Sequence, residues 1–169
     1  MDTLKVGMRD ELVWEVTEDL ATARGDYKVF STPGMTRFIE MTAHKLVGPH
    51  LKPGQGQVGL QLNIRHMAPT PIGKQVRCET ELVAIDRRKL TFIDVSLIRN
   101  SGLVPSSPSA SGEGRGEGLS VPIAIHYETL NKMKVYDEVE QIGEAEHDRY
   151  IVDLDKYMAR LKAKIERTV

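Results

Sequence analysis

The sequence predicts an α+β fold in which one long central helix packs against a curved antiparallel sheet of about five strands, with an amphipathic helix closing the chain. Three features predict it. A helix-start signal at Ser31-Thr32-Pro33 opens a run of apolar residues at helical spacing. From Val58, after a Pro/Gly loop, apolar and polar residues alternate as in a half-buried strand. The strand-like runs around these two segments are joined by short polar or glycine-bearing turns, which suit antiparallel neighbours.

Composition sets the limits. A chain of 169 residues, 40% hydrophobic and 28% charged, is long enough for one core and short for two, so a single domain over 1–169 is expected. With 23 basic against 24 acidic residues there is no surplus positive charge for a polyphosphate backbone, which argues against nucleic acid. Cys78 is the only cysteine, so no intrachain disulfide can form. The five histidines contain no His-x-x-x-His pair, and no metal site is expected. No apolar run reaches membrane-spanning length, and the first residues are too polar for a signal sequence. A soluble, cytoplasmic protein without a membrane partner is the expectation.

Taken in order, Glu11 to Thr17 alternates as a first strand with Leu12, Trp14 and Val16 on one side. Asp19 to Val29 is mixed, with a turn at Gly25-Asp26. In the helix that follows, Met35, Phe38, Ile39, Thr42 and Leu46 form one buried stripe. At about 100° per residue, Glu40 lies off that stripe beside Ala43 and Val47, at the edge of the core. Gly48-Pro49 and Pro53-Gly54 close the helix. In the next strand Val58, Leu60, Leu62 and Ile64 should point one way, and the same parity places His66 on the apolar face at the strand's end. Pro69 and Pro71 stop the ladder. Val76, Cys78, Thr80, Leu82 and Ala84 form the inner row of the following strand, with Arg77, Glu79 and Glu81 outside, which makes Cys78 a core residue. Leu90 to Asp94 begins another strand. Gly143 to Asp153 reads as the last, and Leu154, Tyr157, Met158, Leu161 and Ile165 mark the terminal helix.

One stretch does not fit. Asn100 to Ser120 is dominated by Gly, Ser and Pro, a composition that cannot bury enough apolar surface to fold and reads as a flexible loop. Val121 to Tyr127 could add only an edge strand, because of Pro122.

Three motifs carry a family resemblance: VFSTPGMTRFIEMTA, VGLQLNIRHMAPTPIGKQV with the following RRKLTF, and IGEAEHDRYIVD. With their spacing they cover most of the chain outside Val95 to Lys134, and the chain resembles the hotdog-fold acyl-CoA thioesterases, specifically the fluoroacetyl-CoA thioesterase-like group. The resemblance implies hydrolysis of an acyl-CoA thioester, a homodimer with sheets joined edge to edge, and no cofactor, coenzyme A being part of the substrate. It also implies a catalytic set at Thr32, Glu40 and His66. Taken singly, Thr32 reads as a helix cap, Glu40 as a solvated helix residue and His66 as a hydrogen-bonded strand-end histidine. Jointly they offer what thioester hydrolysis needs: His66 as general base or nucleophile, Glu40 as its orienting partner or an alternative base, and Thr32 as a positioning hydroxyl. The backbone N–H groups of the first helical turn are a candidate oxyanion site. His147 and Arg149, in the closing motif, read as strand-surface residues.

The departure from the family is the forty-residue stretch 95–134. Similar sequences run from an RRKLTF-like motif straight into a VYDEVEQIG-like turn. Removing the stretch joins Ile93-Asp94 to Val135-Tyr136 and restores a continuous strand. It reads either as an untrimmed intron, since Val95-Ser96 can be encoded by a splice-donor-like string and Lys134 by AAG, or as a true lid-like insertion. Transcript sequencing separates the two. Beside the hydrolase stand a non-catalytic acyl-CoA-binding or dimerisation module and a hotdog enoyl-thioester hydratase.

Overall fold

The computed structural model describes residues 3–93 and 133–168. Strand β1 (Arg9–Glu15) leads through a short 3-10 turn, Glu18–Leu20, into a hairpin of β2 (Ala21–Arg24) and β3 (Tyr27–Phe30). Helix α1 (Thr32–Val47) follows, then β4 (Gln55–His66), β5 (Gln75–Asp86), β6 (Lys89–Ile93), β7 (Met133–Tyr136), β8 (Gln141–Asp153) and α2 (Leu154–Glu166). The main sheet has the order β1-β5-β6-β8-β4, and every pairing in it is antiparallel. Strand β7 pairs with β5 and β8, the neighbours of β6, so β6 and β7 share one lane and the sheet has five.

Helix α1 lies against this sheet and supplies the centre of the core. Met35, Phe38, Ile39, Ala43 and Val47 are fully buried, so the hidden face is wider than the predicted stripe. Burying side chains such as Phe38 and Ile39 contributes roughly 1.5–3 kcal/mol each. Phe38 packs between the rings of Trp14, 4.9 Å away, and Phe30, 6.3 Å away. Cys78 is a core residue, as expected.

Several expectations change. The mixed stretch before α1 forms the β2–β3 hairpin, turned at Gly25, whose φ of 60° suits glycine. In β4 the register slips between Gly59 and Gln61, leaving Leu60 as an extra residue. The slip reverses the parity, so Val58 and Leu62 face opposite sides and Leu60 is 58% exposed. A second slip between Leu82 and Ala84 turns Ala84 out and Ile85 in. Glu81 is buried, paired with Arg9 at 2.8 Å. Met133 and Lys134, counted with the 95–134 stretch, belong to β7. The rest of that stretch, including the loop at 100–120 and the edge strand at 121–127, lies outside the described residues.

Candidate active site

The site begins with the division of labour at the start of α1. Ser31 takes the N-cap: its Oγ accepts from the Gly34 N–H at 3.0 Å and donates to the Leu20 carbonyl at 2.7 Å. Thr32, one residue on, is thereby released from capping, and its Oγ1 lies 3.1 Å from His66 Nδ1. The proline stop after β4 holds the other side of the ring. His66 Nε2 lies 3.0 Å from the Ala68 carbonyl oxygen, which can only accept. Nε2 therefore carries the ring hydrogen, Nδ1 presents a lone pair, and the Thr32 hydroxyl donates to it. The orienting role expected of Glu40 falls to the Ala68 carbonyl.

Of the first-turn backbone donors, Pro33 has none, Gly34 N–H is held by Ser31 Oγ, and Met35 N–H by the Ser31 carbonyl at 2.8 Å. Among the described residues this leaves the Thr32 N–H as the open donor at the helix end, a narrower oxyanion site than a whole turn. A cavity of about 330 Å3 adjoins the pair, with Thr22, Arg24, Phe30, Thr32, His66 and Met67 in its walls.

Glu40 lies on the same helix two turns on, so about 12 Å of axis separate it from Thr32. The structure thus brings Thr32 and His66 into hydrogen-bond contact and places Glu40 beside a different group. Its carboxylate sits over Gly59, where an added Cβ would collide with Oε1. Below it are the two residues expected on the strand surface. His147 is 1% and Arg149 5% exposed, on the helix-facing side of β8. His147 Nδ1–H donates to the Gln61 carbonyl at 2.9 Å, and Nε2 accepts from Arg149 Nη1 at 3.0 Å. Arg149 also donates to Gln57 Oε1 at 2.7 Å and to the Glu40 carbonyl at 3.3 Å. Burial holds His147 below the ordinary histidine value, the Gln61 bond opposes this, and the Arg149 charge adds to it. Burial likewise lowers Arg149, with the Glu40 carboxylate acting the other way.

A long helix over an antiparallel sheet, with a hydroxyl–imidazole pair at the helix start, defines the chain as a hotdog-fold protein. A Thermus thermophilus thioesterase superfamily member superposes with a TM-score of 0.70 at 16% identity, covering 99% of this chain and 97% of that one. The solved fluoroacetyl-CoA thioesterase FlK gives 0.68 at 21% identity over 96% of this chain and 98% of that one. Likeness at this identity speaks for the fold. The sequence goes further: residues 13–105, more than half of the chain, match the fluoroacetyl-CoA-specific thioesterase family, and the chain belongs to it and so to the thioester hydrolases. The fluoroacetyl-CoA thioesterase of Streptantibioticus cattleyicolor is 23% identical over 137 residues, 81% of this chain and 70% of that one.

Proposed function

We propose that this protein hydrolyses an acyl-CoA thioester to the free acid and CoA, with Thr32, Glu40 and His66 as the catalytic set, working as a cytoplasmic homodimer paired through β4. The observation that carries the reading is the Thr32–His66 hydrogen bond with its tautomer fixed from behind by Ala68. The thioester carbonyl lies against the Thr32 N–H. Thr32 Oγ1 attacks the carbonyl carbon as its proton passes to His66 Nδ1, and the Ala68 carbonyl stabilises the imidazolium through Nε2–H. Collapse of the adduct breaks the C–S bond, and His66 returns the proton to the departing sulfur. A water then hydrolyses the acyl-threonine ester and restores the hydroxyl. Glu40, two turns along the same helix, stands outside the walls of the cavity that adjoins Thr32 and His66, and beside His147 and Arg149; its place in the set rests on the family resemblance, as the alternative base.

Thiol release from a panel of short acyl-CoAs tests this. Thr32→Val, His66→Ala and Glu40→Ala should each lower kcat by about a hundred- to ten-thousand-fold. Equal rates in wild type and variants would remove the assignment.

A further inference from the structure

We propose that the pocket face of the β2–β3 hairpin holds the adenosine end of coenzyme A, with Arg24 on a phosphate and Tyr27 against the adenine. This rests on the acyl-CoA reading above and extends it from the scissile bond to the carrier. Arg24 lines the cavity that contains Thr32 and His66, and among the described residues in its walls it is the one with a permanent positive charge. Among the described residues its guanidinium meets only neutral acceptors, the Ala23 carbonyl at 2.9 Å and Thr22 Oγ1 at 3.4 Å. Neighbouring cations are spent on carboxylates instead: Lys28 on Glu18 at 2.6 Å and Arg37 on Asp19 at 3.3 Å. A pocket-lining guanidinium without a carboxylate is suited to a phosphate, which it can grip with two parallel N–H bonds.

Register fixes the second half. Thr22 pairs with Val29 and Arg24 with Tyr27, and directly opposed residues in an antiparallel hairpin share a face. Thr22, Arg24 and Val29 all line the cavity, so Tyr27 belongs to the same face. The residue is 74% exposed, an unusual surface for a tyrosine to leave uncovered and a suitable platform for a purine. From Thr32 back to Tyr27 the chain covers roughly 16 Å of extended backbone, about the reach of a pantetheine arm from its sulfur to the first phosphate. The hairpin tip therefore stands one arm's length from the Thr32–His66 pair.

The test compares three thioesters of whichever acyl group turns over best: acyl-CoA, acyl-dephospho-CoA and acyl-pantetheine. In Arg24→Ala the KM for acyl-CoA divided by that for acyl-pantetheine should rise about tenfold, and Arg24→Lys should recover part of it. Tyr27→Ala should raise the same ratio about threefold or more. Acyl-dephospho-CoA tells the phosphates apart: a ratio that stays raised with it assigns Arg24 to the pyrophosphate, and one that falls back assigns it to the 3′-phosphate. A ratio unchanged in Arg24→Ala overturns the proposal while leaving hydrolysis intact. Should wild type cleave none of the three, the hydrolase reading fails, and calorimetry of free CoA against pantetheine with the same variants decides the hairpin by itself.

Discussion

His147 has both ring nitrogens committed, one to the Gln61 carbonyl and one to Arg149, and its ring packs 6.3 Å from that of Phe92. Protonation would remove the acceptor that Arg149 uses and set two cations side by side in the core. The lowered folded value has a definite sign: the unfolded chain takes up a proton near the ordinary value of 6.5 and the folded chain refuses it. The associated stability is complete above that value and is lost as pH falls below it, at a slope of at most about 1.4 kcal/mol per pH unit. His44, lowered by burial and then by Arg149, has the same sign, but its exposure weakens it. Melting curves from pH 8 to 5 should therefore decline more steeply for wild type than for His147→Gln, and parallel curves would sink the idea. The position was readable in principle. Ala145, His147, Arg149 and Ile151 share one parity, and the outer two are plainly core residues. The default that charged side chains face water concealed the middle pair.

Strand β4 combines what the sequence reveals with what it hides. Its apolar content and the proline stop that places His66 were legible, and so was the helix that it flanks, whereas its start lies at Gln55, three residues before the Val58 read from the alternation. The extra residue at Leu60 was not, because a period of two has no means of registering a bulge; the glycine at 59 is the only local sign. The cause is tertiary: Gly59 comes to lie under the Glu40 carboxylate, and the chain must swell by one residue to bring Leu62, Ile64 and His66 back to the inner face. The β2–β3 hairpin was missed for a related reason, since four-residue strands are too short to establish a pattern. β4 also ends the sheet order, so one side of its twelve residues has no strand beside it among the described residues. A long edge bearing an exposed Leu60 invites a second copy. Light scattering should then return twice the chain mass of 18.9 kDa at micromolar concentration, and a steady monomer would remove the edge-to-edge pairing.

At the scale of the whole molecule, the pairings of β6 and β7 fix how the two strands share one lane. Ile93 pairs with Glu81 and Lys134 with Glu79, which puts Met133 opposite Thr80 with no residue skipped. The other neighbour agrees: Phe92 pairs with His147 and Met133 with Ala145, leaving Glu146 for Ile93. Met133 thus takes the register position directly after Ile93, and the join that this register implies removes 39 residues, 94–132, rather than the forty of 95–134. The single-residue difference matters because side chains alternate. Joining Ile93 to Met133 keeps Met133 and Val135 in their fully buried positions. Joining Asp94 to Val135 moves Asp94 into the place of Met133, Val135 into that of Lys134, and Tyr136 into that of Val135. Burying a carboxylate without a cation costs on the order of 3 kcal/mol, and a chain of this length loses a few degrees of Tm per kcal/mol. The 39-residue excision should therefore melt roughly 10 °C above the forty-residue one and retain the Thr32–His66 chemistry, since both residues lie far along the chain from the junction. Thermal melts of the two shortened chains, with thiol release measured on each, check this. Equal melting temperatures, or a higher one for the forty-residue excision, would mean that β6 and β7 are not one interrupted strand.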